Sequence, residues 1–105
     1  MKPANNAPFY ACMYAELAEI ARGHGYALAV HGSMARDFDL IAIPWTDVAA
    51  SPEVVLESVL TRWGGKLIGA DTLMPHGRRV WTVAIMYGEV FLDFGFMPRE
   101  HTDGT

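Results

Sequence analysis

One cysteine, Cys12, is all that the 105 residues carry. An internal disulfide is therefore impossible, and a reducing compartment suits the chain. Long apolar runs are also missing. The first 25 residues hold no uninterrupted apolar segment and do not read as a signal peptide. Nothing approaches the ~20 apolar residues of a membrane span. Positive charge is scarce, with eight Lys and Arg against twelve Asp and Glu and a net charge of -4. That excludes the basic footprint of strong non-specific nucleic-acid binding. Repeats, low-complexity tracts and linkers are absent, and His24, His76 and His101 show no zinc-ligand spacing. What is present is the composition of a folded chain, 51% hydrophobic and 19% charged. The length suits one domain, and the expected location is cytoplasmic.

The apolar spacing predicts an opening helix over about Pro8 to Arg22, with Tyr10, Met13, Tyr14, Leu17, Ile20 and Ala21 on one face. Asn6 is its expected cap and Gly23 or Gly25 its end. Cys12 sits beside the apolar face and reads as a small, semi-buried residue. "YALAV" (26–30) and "FDLIAI" (38–43) are buried strands, the first ending at His31-Gly32-Ser33 and the second closed by Pro44. Ser51-Pro52-Glu53 opens a second helix with a hydroxyl cap, and Gly64-Gly65 stops it. "KLIGA" is a short strand and "MPHGRR" a turn. "RVWTVAIMY" and "EVFLDFGFM" flank Gly88 as a hairpin with a glycine-led two-residue turn. The tail "REHTDGT" is expected to fray. The order predicts an α+β domain, a mixed β-sheet with helices packed on one face.

Two of these strands carry acids where apolar residues belong. Side chains alternate faces along a strand, so Asp37 and Asp39 share one face with Ile41 and Ile43, about 7 Å apart at a ~3.4 Å rise per residue. In the last strand Phe91, Asp93 and Gly95 share a face, opposite Val90, Leu92, Phe94 and Phe96. An unpaired buried carboxylate costs several kcal/mol, so these acids need arginine, hydrogen-bond donors or a metal. Mg²⁺ takes carboxylate oxygens and keeps positions for phosphate, and two metals on three acids serve in-line phosphoryl or nucleotidyl transfer. Gly32 and Ser33 suit phosphate, through close backbone approach and a hydroxyl. Arg36 suits phosphate or neutralises Asp37. Gly-Ser alone is a common turn, and Asp-x-Asp alone often marks a solvated strand end; the signal is in the combination. His31 reads as a structural histidine. Arg78 and Arg79 could reach a triphosphate but read rather as a solvated turn, and Trp45 and Trp81 could stack on a base but read rather as core or rim packing.

"AVHGSMARDFDLIAI" with "FLDFGF" resembles the signature of the nucleotidyltransferase superfamily of the polymerase-beta type, over about residues 9–97. The chain looks especially like short phage and prophage proteins of this kind, and like the minimal nucleotidyltransferases of toxin–antitoxin pairs. The resemblance implies that Gly32 and Ser33 hold the β and γ phosphates and that Asp37 and Asp39 bind metal. Asp93 would bind the catalytic Mg²⁺ and help activate a hydroxyl. The implied reaction moves NMP from a nucleoside triphosphate to a hydroxyl acceptor and releases pyrophosphate. Two departures stand out. Only Met34, Ala35 and Arg36 separate Gly-Ser from the first acid, where the family has nine or more residues. The chain also ends soon after the third-acid strand, so a protein acceptor or a homo-oligomer is the expected partner. The alternatives are a trimmed nucleotide- or protein-binding module, such as a phage accessory or antitoxin-like factor, and a structural domain whose acids pair with Arg36, Arg78 and Arg79.

Overall fold

The computed structural model describes residues 7–34, 36–85 and 90–99. Its elements run α1 (Ala7–Gly23), β1 (Tyr26–His31), β2 (Asp37–Pro44), α2 (Pro52–Trp63), β3 (Lys66–Leu73), β4 (Arg79–Ile85) and β5 (Val90–Phe96). The strands form one mixed sheet in the order β1-β2-β5-β4-β3. β2 and β5 are parallel, and the other neighbouring pairs are antiparallel. The fold is α+β: two helices and a five-strand mixed sheet among the described residues.

Alternation divides the sheet into a dry face and an open one. Tyr26 and Leu28 of β1, Phe38, Leu40 and Ala42 of β2, Trp81, Val83 and Ile85 of β4, and Val90, Leu92, Phe94 and Phe96 of β5 are buried. They form one cluster with Tyr10, Met13, Leu17 and Ala21 of α1 and Val55, Leu56 and Val59 of α2. Both helices therefore bury their apolar stripes against the same face, at the three- and four-residue spacing read from the sequence. Cys12 lies off that stripe and is exposed rather than semi-buried.

Several boundaries differ from the sequence reading. β2 runs through Pro44, which pairs with Tyr26 at the strand's last position, where a missing N–H costs little. β3 extends past "KLIGA" to Leu73. Gly69 at φ +68 interrupts it, and four steps from Ile68 to Thr72 face two on β4, from Thr82 to Val80. Ser51 caps α2 without a side-chain hydrogen bond, so Pro52 at the first position and the Gly64 left-handed cap (φ 71) delimit the helix. "MPHGRR" holds a short 3₁₀ turn, Pro75–Gly77, with His76 at φ 67. Asn6, Ala35, the turn around Gly88 and the tail from Glu100 lie outside the described residues. No described helix is long and apolar enough to cross a membrane.

Three tyrosines tie the layers together through their hydroxyls. Tyr14 donates to the Leu28 carbonyl and Tyr26 to that of Ala50. Tyr10 stacks on Phe38, with centroids 4.8 Å apart, and donates to the carbonyl of Arg36 while lying 3.3 Å from that of Phe91. One buried side chain thus spans the entry to β2 and the start of β5. Tyr10→Phe keeps the packing and removes this clamp. It is expected to cost about 1 kcal/mol, read in urea unfolding as a lower midpoint at unchanged slope; an unchanged midpoint would show that the clamp contributes nothing.

Candidate functional site

The open face carries the acids, and strand register sets them in rows. Asp37 stands level with Phe91 and, across β5, with Ala84. The next row runs across four strands: His31 opposite Asp39, Asp39 level with Asp93, and Asp93 opposite Thr82. The third is Ala29, Ile41, Gly95 and Val80. The expected sharing of a face by Asp37, Asp39 and Asp93 therefore holds in the structure.

Asp39 and Asp93 are brought side by side. The Asp39 carboxyl titrates above its ordinary value of 3.8, first because partial burial disfavours the charge, then through a hydrogen bond and repulsion from Asp93. Asp37 adds repulsion, and His31 opposes it. Thr82 donates its hydroxyl to Asp93 Oδ1 at 3.0 Å. Asp37 remains one row away and exposed. Among the described residues, no three His, Cys, Asp or Glu side chains converge as a metal-ligand set. The site is thus a carboxylate pair with a third acid beside it, not a closed triad.

Gly32 lies at φ +80, and a Cβ there would sit 2.8 Å from Asp39 Oδ2. The glycine's close approach is to this carboxylate, so Gly-Ser forms the wall behind Asp39. Ser33 is exposed at the same corner, and Arg36 is exposed just before β2. His31 is exposed in the acid row rather than packed as a structural histidine.

Among the described residues, no arginine forms an ion pair with Asp39 or Asp93. Arg79 bonds Asp71 at 2.8 Å, Arg62 bonds Glu16 and Arg22 bonds Glu19. Arg78 is not a free solvated turn residue: its Cδ and Nη1 would both lie 3.3 Å from a Cβ on Gly95. Two carboxyls facing each other, one with its charge disfavoured, are a donor set that suits a hard divalent cation. Thr82 carried no signal in the sequence taken alone, because it acts through cross-strand register.

The fold and site define an α+β domain with a carboxylate pair on an uncovered sheet face. Compared with protein-family models, curated proteins and solved structures, the chain matches none.

The raised Asp39 value has a consequence for stability. Between the ordinary carboxyl value and the higher folded one, the native state holds a proton that the unfolded chain releases. Stability therefore falls as pH rises through that window and stays lower above it. In metal-free buffer, Asp39→Asn is expected to raise Tm at neutral pH, with the gain shrinking towards zero as both carboxyls protonate in acid. Thermal melts across pH check this, and a gain independent of pH would contradict it.

Proposed function

We propose that this protein is a minimal Mg²⁺-dependent nucleotidyltransferase, moving NMP from a nucleoside triphosphate to a hydroxyl acceptor with release of pyrophosphate. The observation that carries the reading is the in-register Asp39–Asp93 pair, without an arginine ion pair among the described residues, on a face that no described helix covers. Asp39 and Asp93 would hold Mg²⁺, with Asp37 at the near end. Bound there, the cation neutralises charge on phosphate and acidifies a hydroxyl. The Thr82 hydroxyl donates to Asp93 Oδ1 and fixes that carboxyl's orientation, so its other oxygen is turned towards the cation position. Gly32, Ser33 and Arg36, at the exposed corner beside Asp39, suit the departing phosphates.

One observation favours the second reading, a trimmed nucleotide- or protein-binding module without turnover. Asp37 does not converge with the pair, and a lone pair binds metal less tightly than three ligands.

With Mg²⁺ and labelled nucleoside triphosphates, the wild-type chain is expected to transfer label to itself or to an added protein. Asp39→Asn and Asp93→Asn are each expected to reduce transfer to background while remaining folded. Mn²⁺ titration followed by thermal shift separates binding from turnover. Mn²⁺ stabilisation lost in both variants but without transfer would favour the binding module. No Mn²⁺ effect at all would overturn both metal-based readings.

A further inference from the structure

Beyond the acid row, the open face changes character towards the carboxyl ends of β2 and β5. Gly95, one row on from Asp93, has no side chain, and Arg78 lies across it. Among the described residues this guanidinium has no carboxylate partner, unlike Arg79, which Asp71 holds. A further row on, Ile43 of β2 and Met97, whose N–H extends the pairing to the Ala42 carbonyl, begin the wall of an open cavity of about 600 Å³. Trp45, Asp47 and His76 complete much of the lining. Trp45 is 63% exposed although it is among the largest apolar side chains. The cavity therefore offers an aromatic face, apolar walls and hydrogen-bonding groups.

We propose that Arg78 and the Trp45 cavity bind the nucleoside monophosphate half of the substrate. Arg78 grips the phosphate next to the sugar, and the cavity takes the base. Four residues of strand, from Asp39 to Ile43, span about 14 Å, the reach of a nucleotide rather than of a free phosphate. The order along the face follows the order of groups in a nucleoside triphosphate: outer phosphates at the Gly32-Ser33 corner, inner phosphate between the carboxylate row and Arg78, sugar past Arg78, base against Trp45. Gly95 is needed because a side chain there would lift Arg78 off the sheet. A guanidinium makes paired, charge-assisted bonds to phosphate, and an exposed tryptophan offers a base a stacking face. Asp47 accepts from base N–H groups.

This subsite deepens the transferase reading, yet it is tested without metal or turnover. AMP and UMP are titrated into the full chain in EDTA at low salt, followed by calorimetry and by amide chemical shifts, with adenosine and inorganic phosphate as partial probes. At least one nucleotide is expected to bind in the millimolar range or better. Arg78→Ala should weaken it roughly tenfold (about 1.4 kcal/mol) and leave adenosine unchanged. Trp45→Ala should weaken nucleotide and adenosine alike, and Arg78→Lys and Trp45→Phe should recover part of each loss. Both positions are surface-facing, and unchanged Tm confirms the fold of each variant. Nucleotide that fails to bind, binds both alanine variants as it binds wild type, or is matched in affinity by inorganic phosphate overturns the subsite. A chain that keeps its Mn²⁺ response and its transfer activity while these variants have no effect retains the transferase reading and loses this one. Binding that depends on Arg78 and Trp45 without any Mn²⁺ response keeps the subsite alone.

Discussion

The parallel pairing of β2 with β5 forces two carboxyl groups into the same row, and the hydrophobic face behind them prevents escape. Phe38 and Leu40 flank Asp39, and Leu92 and Phe94 flank Asp93; all four are fully buried. A one-residue slip of either strand would turn its aspartate into the core and its phenylalanine into water. Burying one unpaired carboxylate costs several kcal/mol, and exposing one phenylalanine forfeits about 1.5–3 kcal/mol. The repulsion between two half-exposed acids is smaller than either. The core therefore holds an unfavourable electrostatic contact in place, and Tyr10, reaching the carbonyls of Arg36 and Phe91, secures both strands where the acids begin.

The dry half of this arrangement was legible in the sequence because it is periodic. Every residue assigned to the inner face of β2 and β5 is buried, and the α1 stripe falls on the residues its spacing marked. A period of two needs no knowledge of partners, so the facing of Asp37, Asp39 and Asp93 could be read as well. Partners were not legible. A two-residue turn led by Gly88 sets residue 87 against residue 90 and would place Ala84 opposite Asp93. The observed register sets Ile85 against Val90 and Thr82 against Asp93. The slip is by two residues, so every face survives while the neighbour changes, and the hydroxyl that orients Asp93 was invisible. Arg78 was named in the sequence, but its place was not legible for a related reason: it depends on a missing side chain at Gly95, on another strand.

The Gly-Ser corner shows how a motif's meaning depends on what it touches. Glycine there was expected to let backbone approach a ligand. In the fold it lets backbone approach Asp39 Oδ2, which adds to the partial burial of that carboxyl. The short segment from Ser33 to Asp37 leaves little chain to form a separate phosphate loop, so corner and acid act as one unit.

Charge placement argues most directly against a purely structural role for the acids. Two arginines lie close to the strand beside β5: Arg78 just before β4 and Arg79 at its start. Arg79 turns to Asp71, at the sheet's far edge, where an exposed pair contributes little. Arg78 lies across Gly95, about 7 Å along the strand from Asp93 by the strand rise. Leaving two acids unneutralised on the open face, with a cation a step away rather than between them, weakens the folded state for no structural gain. The ligand proposed above, a phosphate ester with its metal ion, would bring positive charge to the acids and negative charge to the arginine.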